Sequence, residues 1–248
     1  MTQEVRVAVF RPADERLETA VELLDSLGAT PVADPMLAIE STGAVPATDA
    51  DYTIFTSKTG IELAAKGGWT PDETTLVSIG PGTTAAAESV GWTVDREPET
   101  YSSTGLVDLL SGEVDGQRVE VARSDHGSQR LLDGLSEANA DWSETVLYQL
   151  VRPPESGISA EMAAEGSLEA AAFTSSLTVD HFLAAADERD IRETAIEGLN
   201  NAVVGVIGQP TRETAEGHGI DVDIVPDQAT FEALATAVVE TAAPSYTE

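Results

Sequence analysis

Two short hydroxyl-bearing sequences occur twice in this chain. "FTS" stands at 55–57 and again at 173–175, and an Ile-Gly-x-x-Thr turn stands at 79–83 and again at 207–211. Each follows an apolar run and precedes helix formers. That is where Ser or Thr caps a helix and where free backbone N–H groups give its first turn a partial positive charge. Such turns hold carboxylates or phosphates without a basic surface. Arg11 and Arg123 stand at matching ends of "RVAVF" and "RVEVA", where a guanidinium could grip a carboxylate through two hydrogen bonds. Lys58, one of only two lysines, follows the first "FTS".

The stretch "SIGPGTTAAA" (78–87) also fits a G-x-G-x-x-A dinucleotide pattern through Gly80, Gly82 and Ala85. It leaves open an NAD-dependent enzyme with Asp95 as the ribose acid. Its counterpart "VIGQPTRETA" (206–215) keeps the Ile, the first Gly and the Thr but has no match for Gly82. Gly80 and Thr83, with Gly208 and Thr211, are therefore the informative residues, and an anion-binding turn is the preferred reading. A two-lobed, non-catalytic binder of small anions is a further alternative.

Composition removes several classes. The chain lacks cysteine, and His126, His181 and His218 are far apart, so no metal site is expected. A formal net charge of -31 over 248 residues excludes a nucleic-acid partner, whose phosphates demand a basic face. No apolar run approaches the roughly 18 residues of a membrane span, and "MTQEVRVAVF" lacks the pattern of a signal peptide. The expectation is a cytoplasmic protein without a membrane partner. Its acids are dispersed through foldable segments and its lysines are few, as in salt-adapted proteins, whose charge repulsion is screened at high ionic strength.

The elements that must position these turns are themselves repeated. Residues 76–100 lie over 203–230 at an offset of 128: Ile79 on Ile207, Gly80 on Gly208, Thr83 on Thr211, Gly91 on Gly219. "YTIFTSKTGIELAA" (52–65) lies over "AAAFTSSLTVDHFLAAA" (170–186), and the first strand and helix, 6–27, resemble 118–135. Alternating β and α signals predict an α/β fold with parallel sheets. The extended segments "MLAIE" and "TVLYQLV" are equivalent in the two copies and could be two chain crossings. The predicted domains are then 1–36 with 152–248, and 37–151, with linkers near 35–41 and 145–153. A single split near residue 115 is the simpler alternative.

With these residues in view, the chain resembles the uroporphyrinogen-III synthase family over nearly its whole length. The resemblance rests on the two "FTS" turns, the two "IG-x-x-T" turns, "YSSTGLVDLL" (101–110) and "VLYQLV" (146–151), in that order and duplicated. It implies two flavodoxin-like parallel-sheet domains joined by a two-stranded linker. It also implies cofactor-free cyclisation of the linear tetrapyrrole hydroxymethylbilane, with loss of water and inversion of ring D. Under this resemblance Tyr148 is the candidate group that helps the hydroxyl leave, since a phenol remains protonated at neutral pH. Thr56, Ser57, Thr83, Ser175, Ser176 and Thr211 match the family's hydroxyl-bearing turns and are assigned to substrate carboxylates. Ser102 and Ser103 match its small-residue turn, and Lys58 departs from the family pattern after "FTS". The implied protein is a monomer that makes transient contact with the upstream bilane-forming enzyme.

Overall fold

The computed structural model describes residues 5–243. In chain order the elements are β1 (Arg6–Val9), α1 (Glu15–Ser26), β2 (Thr30–Ala33), β3 (Ala38–Ser41), β4 (Tyr52–Phe55), α2 (Lys58–Lys66), β5 (Thr75–Ser78) and α3 (Pro81–Ser89). They continue with α4 (Ser103–Leu110), β6 (Arg118–Ser124), α5 (Gln129–Glu137), β7 (Asp141–Val151), α6 (Ile158–Ala164) and β8 (Ala170–Phe173). The chain closes with α7 (Ser176–Asp187), α8 (Arg192–Asn200), β9 (Val203–Val206), α9 (Gln209–Gly217) and α10 (Phe231–Ala242).

Contacts divide the chain into two units. One holds the residues up to Ala38 together with those from Val151 onward, and the other is Ile39–Leu150. The changes of unit fall inside β3 and β7, so residues 37, 38 and 151 join the discontinuous unit, and no boundary lies near 115.

The discontinuous unit has a sheet in the order β2-β1-β8-β9, with every pair parallel, and a parallel bridge joins Gly205 to Ile224 beyond β9. This is the doubly wound 2-1-3-4 order with its fifth strand reduced to one bridge. Strand residues alternate between two cores. Ala8, Phe10, Ala171 and Phe173 face α6 to α9, whereas Val7, Val9, Ala170 and Ala172 face α1 and α10. "AAAF" is a poor strand sequence by propensity. Burial on both faces decides the matter, because small side chains let helices pack closely on either side.

The other sheet runs β3-β7-β6-β4-β5, and the pairs β7·β6, β6·β4 and β4·β5 are parallel. Its four strands β7-β6-β4-β5 repeat the 2-1-3-4 order, and Val77 bridges Arg96 where the first sheet has Gly205 and Ile224. Ile54, Val119 and Val121 face α4 and α5, and Phe55, Leu76 and Ala122 face α2 and α3. The repeat is copied in detail: Asp95 accepts from the Leu76 N–H at 2.9 Å, and Asp223 accepts from the Val204 N–H at 2.8 Å.

Candidate active site

In doubly wound sheets ligands bind beyond the carboxyl ends of the strands. In the continuous unit, β4 ends at Phe55 and is followed by Thr56, which is half-buried, and Ser57, the N-cap of α2. The Ser57 Oγ accepts from the Gly60 N–H at 3.0 Å. It also accepts from the Tyr148 hydroxyl at 3.0 Å, across the end of β6. A serine oxygen has two acceptor sites and one donor proton, so the Ser57 O–H is left to point elsewhere. Tyr148 is 7% exposed, with its ring packed among Phe55, Ile61 and Leu147. Gly60 permits this closeness, because a Cβ there would stand 3.2 Å from Ser57 Oγ and 3.4 Å from Leu147.

Lys58 opens α2, is exposed, and has no carboxylate within 4.0 Å among the described residues. Gly80 is the N-cap of α3 with Pro81 after it, and no side chain caps that helix. Lys58, Gly80, Pro81, Thr83 and Tyr101 line a shallow pocket of about 290 Å³. Thr83 is buried at its base, and Tyr101 is 60% exposed. A Cβ on Gly80 would meet the Tyr101 ring at 3.0 Å, so the aromatic ring lies close over this turn and a larger residue at 80 would push it aside. Ser102 caps α4 by accepting from the Gly105 N–H at 3.1 Å, and Ser103 is the first residue of that helix.

Arg123 is corrected by the structure. Its side chain is buried, its Nε donates to Glu144, and its Nη1 donates to the Ser128 carbonyl at 2.6 Å. The strand that presents it turns it into the sheet's covered face, so it braces β6 against β7 and is not free to grip a ligand. On the turn that suggested NAD, the space a Gly82 Cβ would enter is open, and Asp95 Oδ2 accepts from the Leu76 amide just as Asp223 accepts from Val204 in the repeat. Among the described residues no cluster of three or more His, Asp or Glu side chains is arranged to hold a metal.

In the discontinuous unit, Arg11 follows β1 with its guanidinium 4.8 Å from the Phe231 ring centroid. Burial, then repulsion from Arg16, draws its pKa below the ordinary arginine value against the opposing pull of Asp14. Ser175 caps α7, accepting from the Thr178 N–H at 3.3 Å, and Ser176 donates to the Pro210 carbonyl at 3.1 Å. Gly208 is the N-cap of α9, and Thr211 is buried beneath that turn. The strand ends thus carry hydroxyls and glycine turns in each unit, together with a cation, Lys58 or Arg11, that has no carboxylate within 4.0 Å among the described residues.

The uroporphyrinogen-III synthase HemD family model matches residues 18–236. The chain belongs to the uroporphyrinogen-III synthase family. It is 29% identical over 248 aligned positions to a protein of Methanothermobacter thermautotrophicus provisionally named as a uroporphyrinogen-III synthase, covering 94% of this chain and 96% of that one. Its fold is similar to that of a mutant uroporphyrinogen-III synthase from Thermus thermophilus, with TM-score 0.64 and 17% identity over 96% of this chain and 98% of the other. The Helicobacter pylori uroporphyrinogen-III synthetase gives TM-score 0.61 and 13% identity over 96% and 100%. Uroporphyrinogen-III synthases are cyclising lyases of tetrapyrrole biosynthesis that act on a linear tetrapyrrole. Two contacts near these turns were not singled out from sequence: the Tyr101 ring beside Gly80, and Asp125 after β6, whose carboxylate accepts from the Leu150 amide. Tyr101 is the first residue of the "YSSTGLVDLL" stretch, and only its serines drew attention.

Proposed function

We propose that this uroporphyrinogen-III synthase closes hydroxymethylbilane with inversion of ring D, and that Tyr148 with Ser57 assists departure of the substrate hydroxyl as water. The observation that carries the assignment is the hydrogen bond from the Tyr148 hydroxyl to Ser57 Oγ. It leaves the serine's own proton free for an incoming oxygen, while the phenol donates behind it. Hydrogen bonds of this kind strengthen in a site shielded from water. Loss of water gives an azafulvene, which is attacked by the substituted carbon of the last pyrrole, and the spiro product fragments and recloses. Unassisted closure gives the uninverted ring, so positioning is the larger part of the task.

Thr56, Lys58, Gly80, Thr83, Ser102 and Ser103 of one unit, and Arg11, Ser175, Ser176, Gly208 and Thr211 of the other, bind substrate carboxylates in this reading. The uncapped turns at Gly80 and Gly208 support it, as do Lys58 and Arg11, which among the described residues make no ion pair in a chain of net charge -31. The same reading makes the protein a salt-adapted, cytoplasmic monomer that receives the unstable bilane from the enzyme that forms it. The test is the product of fresh hydroxymethylbilane at high salt, resolved by isomer. Type III uroporphyrinogen is expected, and the type I isomer alone would refute the proposal.

A further inference from the structure

The side chain of Tyr148 reaches Ser57 because β7 skips a residue. β7 pairs with β6 in steady register from Arg118 opposite Asp141 to Arg123 opposite Val146, and then Ser124 stands opposite Tyr148. Leu147 is the extra residue, and such bulges are rare between parallel strands. Paired residues on neighbouring strands share a face, and each strand alternates. Thr145, opposite Ala122, and Leu147 two residues later both belong to the face covered by α2 and α3. Unbroken alternation would send Tyr148 to the other face, with Val121 and Arg123. The skipped residue reverses that phase. Leu147 and Tyr148, though consecutive, therefore lie in one core with Phe55, Ile61 and Ala64.

Two side chains hold the irregular segment. The Thr42 Oγ1 donates to the Val146 carbonyl at 2.7 Å and approaches that of Leu147 at 3.1 Å, and the Thr42 N–H donates to Leu147 at 3.0 Å. On the opposite side the Asp125 N–H donates to the Tyr148 carbonyl at 3.2 Å. The Asp125 Oδ1 accepts from the Leu150 N–H at 3.0 Å and contacts His126 Nδ1 at 2.8 Å. We propose that Thr42 and Asp125 are positioning residues that hold the β7 bulge and so turn the Tyr148 phenol toward Ser57. The inference rests on the catalytic reading of Tyr148. Burial pushes the Asp125 carboxyl upward, but its bonds to His126 and the Leu150 amide outweigh that and keep it below the ordinary aspartate value, in the ionised form that accepts both.

The test uses the full chain labelled with 3-fluorotyrosine, in which the Tyr148 resonance is the one missing from Tyr148→Phe. Thr42→Val and Asp125→Ala are expected to move that resonance while leaving those of Tyr52 and Tyr101 in place. They should lower kcat by about tenfold with little change in KM, and add less than about twofold loss when combined with Tyr148→Phe. Thr42→Ser and Asp125→Asn keep the bonding oxygens and should retain most activity, which guards against a simple folding defect. An unmoved resonance, or an equal loss of kcat in the Tyr148→Phe background, overturns the proposal. Full activity in Tyr148→Phe itself refutes the catalytic reading instead, and the resonance then still reports whether the bulge is held.

Discussion

The Tyr148 hydroxyl and the Ser57 Oγ, 91 residues apart in the chain, are joined by a 3.0 Å hydrogen bond. Ser57 is at once the N-cap of α2 and the acceptor for the phenol. The stability of the helix start and the placement of the phenol therefore share one oxygen. This coupling makes a sharp kinetic prediction. Tyr148→Phe is expected to lower kcat by about 10²-fold with KM nearly unchanged, the scale of a lost proton donor. Ser57→Ala should lower kcat and also cost about 1 kcal/mol through the lost cap. The double variant should be no slower than Tyr148→Phe. Isomer-resolved turnover checks this, and effects that simply multiply would show that the two hydroxyls act separately.

Arg123 is predicted to support the fold. Arg123→Met leaves Glu144 and the Ser128 carbonyl without their cation, and breaking a buried pair of this kind costs about 3 kcal/mol. Denaturant unfolding should show that loss, with KM unchanged in the protein that remains folded. Lys58→Ala and Arg11→Ala should do the reverse, raising KM with little effect on the unfolding midpoint. A stable Arg123→Met protein with a raised KM would restore the arginine to the substrate.

The pair between Arg6 and Glu169 gives a pH signature. Hydrogen bonds from the Arg6 side chain hold the Glu169 carboxyl below its ordinary value, with burial opposing. A lowered folded pKa stabilises the protein above the unfolded value near 4.5 and loses that contribution as pH falls through the folded one. Glu169→Gln should therefore lower Tm by roughly 2–4 °C at neutral pH, the shift expected for ~1 kcal/mol in a chain of this size. The difference from the parent should shrink as the solution is acidified below the glutamate range. A difference independent of pH would mean that the charge of Glu169 contributes nothing.

Salt should stabilise this chain strongly. Forty-four acidic residues face thirteen Lys and Arg, so repulsion among carboxylates is the dominant long-range term. At 1 M salt the screening length falls to about 3 Å, against about 10 Å at 0.1 M. Tm is expected to climb steadily across that range in KCl. A flat profile would show that the acidic surface exerts no net destabilising field on the folded state.

The alternation of apolar runs with Ser, Thr and Gly turns determined the α/β class, the duplicated strand-to-helix turns and the resemblance to the family. These are local patterns whose period follows from backbone geometry, so a sequence displays them directly. The caps at Ser57, Ser102 and Ser175 were legible for the same reason, since a cap bonds an amide three residues away. Tertiary structure decided the rest. Arg11 and Arg123 occupy matching positions in the repeat, yet one lies beside a ring and the other is buried against Glu144, because their neighbours come from distant segments. The Tyr101 ring on Gly80 depends on the return path between α3 and α4. The phase of β7 is the clearest case. Nothing in "VLYQLV" marks Leu147 as a skipped residue, and the pairing with β6, fastened by Thr42 and Asp125, determines which face Tyr148 takes.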